Sequence, residues 1–78
     1  MYVYILRSKS YPDEIYVGAT PNINARLAFH NAGQSMHTSK FTPWELEGYI
    51  WSSDERKAFK FEQYLKSGSG RVFRNKHF

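Results

Sequence analysis

Tyr2-Val3-Tyr4-Ile5-Leu6 and Ile15-Tyr16-Val17-Gly18 are two short apolar runs separated by the eight residues Arg7 to Glu14. Both are rich in β-branched and aromatic residues, which suit a pleated, half-buried surface. They predict strands over Tyr2–Leu6 and Glu14–Ala19. Ser8-Lys9-Ser10-Tyr11-Pro12-Asp13 carries turn chemistry, with the bend expected at Pro12-Asp13. An antiparallel hairpin follows, bringing Tyr4 and Tyr16 to one cleft. Side chains alternate along a strand, so Tyr2, Tyr4 and Leu6 share one face and Val3 and Ile5 the other. Both faces are apolar, so the first strand is expected to be covered on both sides. Gly18 has no Cβ, so the strand bends there or another group approaches closely.

Thr20-Pro21 reads as the start of a helix, with Thr20 as N-cap and Pro21 in the first turn. This helix is expected to run to about Ala32 and stop at Gly33. At ~100° per residue, Ile23, Leu27 and Phe29 fall in one half of it. Arg26 and His30 land between them, one helical turn apart. Polar side chains on a face that should be buried break the fold rule, and such breaks concentrate at functional sites. Gln34 to Pro43 reads as a loop in which His37, Thr38, Ser39 and Lys40 could donate hydrogen bonds.

Trp44–Trp51 predicts a third strand, with Leu46 and Ile50 on one face and Glu45, Glu47 and Tyr49 on the other. Ser52 and Glu55 fit a capping box for a helix from about Ser53 to Lys66. Ala58, Phe61, Glu62 and Leu65 form its buried stripe. Ser67-Gly68-Ser69-Gly70 is expected to end it through a left-handed glycine. Arg71 to Phe78 then makes a turn of helix packed by Val72 and Phe73. Strand, strand, helix, strand, helix predicts an α+β fold, a small three-stranded antiparallel sheet flanked by helices.

Seventy-eight residues allow one domain, residues 1–78, with a small core that fourteen aromatics help to fill. The absence of cysteine excludes a disulfide framework and a thiolate zinc site. No run reaches the ~18 apolar residues of a membrane span, and no signal-peptide pattern is present. A soluble cytoplasmic protein with no membrane partner is the expectation. The charge is 11 − 7 = +4, and its placement is informative. No acid follows Gln63, whereas Lys66, Arg71, Arg74 and Lys76 all do. Clustered cations of this kind attract a polyanion.

Glu62 is the sharpest single signal. A carboxylate on an apolar stripe must be paired, protonated or metal-bound. Pairing with Arg26 or Lys66 is the structural reading. The functional one is a single carboxylate holding Mg2+ beside a substrate phosphate, with water completing the shell. Arg26 could pair with Glu62 or fork onto a phosphate. His30 could be a core residue or a proton shuttle. Tyr4 and Tyr16 alone would pass as strand packing. No Walker loop, nucleophile elbow, His-Glu-x-x-His or dinucleotide fingerprint is present.

Taken together, these residues resemble a known family. Tyr2-Val3-Tyr4-Ile5-Leu6 followed by Tyr16-Val17-Gly18 looks like the paired signature of the GIY-YIG nucleases. Asn24-Ala25-Arg26-Leu27 and His30-Asn31 are similar to the family's Arg- and His-bearing helix. Phe61-Glu62-Gln63-Tyr64-Leu65-Lys66-Ser67-Gly68 looks like its small bacterial stand-alone branch. Tyr2 or Val3 stands in place of the first Gly, and Val17 in place of an Ile, without touching the chemistry.

The resemblance implies metal-dependent endonucleolytic hydrolysis of DNA by one Mg2+ or Mn2+ ion. It implies Tyr4 as general base, Tyr16 as the second motif tyrosine, Arg26 on the transition state, His30 in support and Glu62 as metal ligand. Asn75, thirteen residues past Glu62, could match an Asn that many relatives carry. Gly18, Lys66, Arg71, Arg74, Asn75 and Lys76 are the expected substrate contacts. No attached DNA-recognition domain is expected, so the expectation is structure- or damage-directed cutting, as in DNA repair, over sequence-specific cutting. The alternatives are a non-catalytic nucleic-acid-binding module on the same scaffold and an adaptor whose basic tail docks an acidic protein.

Overall fold

A computed structural model describes all 78 residues. In chain order it contains β1 (Tyr2–Ser8), β2 (Ile15–Thr20), α1 (Ile23–Asn31), a short 3-10 turn (Ser39–Phe41), β3 (Trp44–Trp51), α2 (Glu55–Lys66) and α3 (Gly68–His77). The sheet is antiparallel in the order β2-β1-β3. The α+β reading from the sequence is the fold observed. No helix is long and apolar enough to cross a membrane.

β1 is the central strand, and its two apolar faces build two cores. Val3 and Ile5 pack with Val17, Ala58 and Leu65, under α2 and α3. Tyr4 and Leu6 pack with Trp44, Tyr16, Ile23 and Leu27, under α1. Val3, Tyr4, Ile5 and Leu6 are all essentially fully buried. At ~1.5–3 kcal/mol per buried large side chain, this one strand carries a large share of the hydrophobic stabilisation.

The expected faces of β3 are corrected by a bulge. Ile5 pairs with Gly48 but Leu6 pairs with Leu46, which leaves Glu47 as an extra residue. An extra residue reverses the alternation beyond it. Leu46 therefore packs in the α1 core and Ile50 in the α2 core, not on one shared face. Glu47, freed from the ladder, pairs with the Arg7 guanidinium through Nε at 3.0 and 3.1 Å.

Three helix boundaries also differ from expectation. Asn22 caps α1, its side chain accepting from Ala25 N at 3.1 Å. Thr20 is instead the last residue of β2, and its hydroxyl bonds Asn22 backbone groups. Asp54 caps α2, accepting from Arg56 N and Lys57 N. Ser52 organises that turn from two residues earlier instead of forming a box with Glu55. An Asx side chain nearer the first free N–H groups wins in both places.

The third difference is at the C-terminus. The Gly68–Gly70 stretch does not break the chain with a left-handed residue, since Gly33 is the only residue with positive φ. Ser67 alone ends α2 and caps α3, its hydroxyl donating to Tyr64 O and accepting from Gly70 N. α3 is thus a full ten-residue helix, not a single turn. Gly70 is needed for contact: a Cβ there would overlap the Tyr64 carbonyl and crowd Leu65 Cα at 2.6 Å.

Gly70→Ala is expected to cost about 1–3 kcal/mol by overpacking backbone that has nowhere to move. In a domain this small that is a drop in Tm of roughly 4–8 °C per kcal/mol, read by circular dichroism. An unchanged Tm would mean the α2–α3 corner is loose.

Candidate active site

The floor of the site is a buried relay of three side chains. Tyr4, 2% exposed, projects from β1 toward α1, and its Oη shares a hydrogen bond with His30 Nε2 at 3.0 Å. His30, also 2% exposed, shares a second with Thr38 Oγ1 through Nδ1 at 2.9 Å. His30 is the one fully buried residue of α1, which is why a polar residue stood on its apolar arc. Its two ring nitrogens are both satisfied, as a buried imidazole requires.

The chain around the relay holds it from outside. Gly33, at φ 74, turns the chain out of α1 toward the Gln34–Pro43 segment, which places Thr38 against His30. Thr38 is held in turn by Trp44 Nε1, which donates to its carbonyl at 2.9 Å. Asn31 grips the backbone of Trp44 from both sides, accepting from its N–H and donating to its carbonyl. Sequence reasoning singled out neither Thr38 nor Asn31 for this role. Loop polarity offers many donors, and only the packed chain selects one.

Gly18 lies opposite Tyr4 in the ladder. A Cβ there would overlap Tyr4 Oη and come within 2.6 Å of Cζ and 3.0 Å of Tyr16 Cε2. Gly18 is itself buried. The room it makes is therefore taken by the two tyrosines, not by a substrate backbone, and its expected substrate contact is corrected accordingly. Tyr16 lies beside the relay, its ring 4.8 Å from that of His30 and 6.2 Å from that of Tyr4.

Electrostatics ties Arg26 and Glu62 to this floor. Burial raises the Tyr4 phenol pKa well above its ordinary value, helped by Tyr16 and Glu62, while the Arg26 guanidinium pulls the other way. Burial lowers the His30 pKa, and Arg26 adds to this. At neutral pH the relay is a neutral phenol beside a neutral imidazole. Arg26 lies over the Phe29 ring, 5.4 Å from its centroid, and makes no ion pair. Its guanidinium is available to an incoming anion.

Glu62 sits at the margin of its stripe, not at the centre, with its side chain 18% exposed. Of the two pairings open to it, the one formed is with Lys66, at 3.5 Å. That pair is partly exposed and weak, on the order of 0.3–0.5 kcal/mol for i,i+4 partners, so it yields easily to a stronger ligand. No group of three or more His, Cys, Asp or Glu side chains converges anywhere in the chain. An all-protein metal cage is therefore absent. A lone, accessible carboxylate does fit Mg2+, which keeps several waters and binds through one or two carboxylates plus substrate phosphates.

A second feature opens along β2, one of the two edge strands. A groove of about 630 Å3 is walled by Arg7, Tyr16, Lys66, Arg71, Arg74 and Asn75, with Asp13, Ile15 and Val17 completing it. Four of the expected substrate contacts meet there. Lys76 does not line it and stands exposed farther along α3. Arg7, absent from the sequence reading, does line it, brought in by the strand pairing.

Comparison with known proteins gives the family. The family model described as the GIY-YIG catalytic domain matches residues 1–76. The chain belongs to the GIY-YIG family of nuclease domains. It is 37% identical over 71 residues to "Structure-specific endonuclease subunit SLX1" of Debaryomyces hansenii, covering 82% of this chain and 20% of that protein. It is 38% identical over 69 residues to the protein of the same name in Podospora anserina, covering 81% and 20%. A third relative, "UPF0213 protein SH2523" of Staphylococcus haemolyticus, is 35% identical over 69 residues, covering 87% of this chain and 82% of its own length. The chain thus spans about a fifth of the two fungal relatives. No solved structure matches it.

The depressed His30 pKa fixes the sign of a pH effect. Below its ordinary value of 6.5 the unfolded chain binds the proton more readily than the folded one. This contribution to stability is full above pH 6.5 and is lost as pH falls toward the folded pKa. Urea midpoints of the wild type are expected to fall between pH 6.5 and 5 more steeply than those of His30→Gln. Parallel profiles would show that His30 titrates as it does in water. Thr38→Val, which leaves Nδ1 unpartnered, is expected to cost about 1–3 kcal/mol in the same assay at pH 7.5.

Proposed function

We propose that this domain is a metal-dependent endonuclease that hydrolyses DNA phosphodiester bonds and selects its target by structure or damage. The observation that carries this reading is the hydrogen bond between Tyr4 Oη and His30 Nε2, set beside the charges of Arg26 and Glu62. Binding alone would not need a buried phenol–imidazole pair within electrostatic reach of a carboxylate. The family membership supports nuclease chemistry, and the names of the fungal relatives support structure-directed cutting.

The relay sharpens the role of Tyr4. A phenol whose pKa is raised is a poor base by itself. Its hydroxyl can take a proton from the attacking water only as its own proton leaves for His30 Nε2. That step needs Nε2 unprotonated at the outset, which the lowered His30 pKa favours. Nδ1–H then donates to Thr38 Oγ1, fixing the tautomer. Arg26 binds the non-bridging phosphate oxygens, where charge grows as the water oxygen adds and the 3′ oxygen leaves. Tyr16 supports the imidazole ring and walls the strand's path. Glu62 would hold the divalent ion, Mg2+ or Mn2+, releasing Lys66 to the phosphates. The bound ion supplies neutralisation of charge on the leaving oxygen.

Purified protein incubated with supercoiled, branched and single-stranded DNA tests this, with Mg2+, Mn2+ or chelator present. Cutting is expected only with metal. Glu62→Ala is expected to abolish it while the circular dichroism spectrum stays native, and Tyr4→Phe to slow it by roughly 10²- to 10⁴-fold. Undiminished nicking by Glu62→Ala would remove the carboxylate from the mechanism.

A further inference from the structure

We propose that the arginine groove along β2 is a separate phosphate-binding subsite, which holds a backbone phosphate of the substrate strand away from the bond being cut. The inference rests on the nuclease reading for the identity of its ligand, but chiefly on Arg71 and Arg74, which the proposed reaction does not use. Tyr4 and His30 lie on the α1 face of the sheet, whereas α3, with Arg71 and Arg74, packs against the opposite core. Tyr16 belongs to both, with its ring against His30 and its edge on the groove wall. Tyr16, on the edge strand β2, is the residue that joins the surroundings of the relay to the groove.

The charges there are not balanced by the protein. Arg7 pairs with Glu47, and Lys66 pairs only weakly with Glu62. Arg71 and Arg74 enter neither ion pair, and only Asp13 among the groove residues is acidic. Arg74 Nε is buried with no acceptor, a rare state for a guanidinium nitrogen. Burial, together with Arg71 and Arg7, lowers the Arg74 pKa, with Glu47 opposing. Folding has forced guanidinium groups together at a cost, and an anion among them relieves both the repulsion and the unpaired donor. Arg71 and Arg74 are three apart on α3, hence neighbours, and Asn75 adds a neutral amide one turn from Arg71. Guanidinium forks match phosphate oxygens in pairs. The groove carries little to read a base with, so the subsite positions the strand and does not select sequence.

The test measures affinity for a fluorescent DNA oligonucleotide against salt, for wild type, Arg71→Gln, Arg74→Gln and the double variant. Lys57→Gln with Lys60→Gln, the same reduction of charge away from the groove, serves as control. Every phosphate that a variant no longer neutralises lowers the slope of log affinity against log salt by about 0.7–0.9. Both arginines serve one phosphate, so the slope of the groove double variant is expected to fall by about one such increment, and its binding at 0.1 M salt to weaken roughly tenfold. The control pair is expected to change clearly less. Equal changes in the two pairs would reduce the groove to general charge and overturn the subsite, as would an unchanged slope in a natively folded double variant. Should Arg74→Gln fold poorly, the exposed Arg71→Gln alone carries the comparison. A wild type that binds with the expected slopes but never cuts would sink the nuclease reading and leave the subsite standing. A wild type that cuts while the groove variants bind normally would do the reverse.

Discussion

One buried hydrogen bond, between a phenol and an imidazole, sets the terms for everything around it. Neither partner can be buried without the other. Losing one would strand a polar atom in the core, at a cost larger than the bond itself contributes. Keeping both requires β1 to be central, so that Tyr4 is covered, and α1 to cross it with His30 turned inward. It also requires a third residue behind the imidazole, which explains why the segment between α1 and β3 is held so firmly. The Asn31 and Trp44 bonds are the means by which the chain delivers Thr38.

Around this pair the sheet separates two tasks. On the α1 face lie the neutral relay and Arg26, and on the other, under α2 and α3, lie Glu62 and the arginines of the groove. β2 is the boundary, and Tyr16 is the residue that both sides touch. Such a division suits a very small domain. With so little interior, a single pocket could not hold four cations and a neutral relay without the cations disturbing the relay's proton affinities. Arg26 shows the effect at close range, shifting both Tyr4 and His30.

The hairpin and the α+β order were legible because period-two alternation with turn residues is a local signal, and β1 and β2 carry it strongly. Arg26, His30 and Glu62 were legible as breaks in an apolar face. What stayed hidden was non-local. Glu47 gives no sign in sequence that it will be skipped by the ladder, and with it the faces of Leu46 and Ile50 were misjudged. Thr38 looked like any loop hydroxyl. Thr20 and Ser52 are sound caps by propensity and lost to Asn22 and Asp54, which lay nearer the free N–H groups. The glycines of Ser67–Gly70 read as a stop because backbone freedom is their commoner use. Here the missing Cβ of Gly70 serves contact between helices, while Gly68 has open space around it.

That corner has a consequence for how the domain can vary. Only Ser67 separates α2 from α3, so there is no slack in which a change of length could be absorbed. One residue inserted after it would turn every following side chain by about 100° around the helix axis. Ser69 would then meet the Tyr64 carbonyl where Gly70 now sits, and Arg71 and Arg74 would swing off the groove. The direction in which the basic tail points is thus counted out in residues from Tyr64. The corner works as a phase lock between two helices, sensitive to chain length and indifferent to charge.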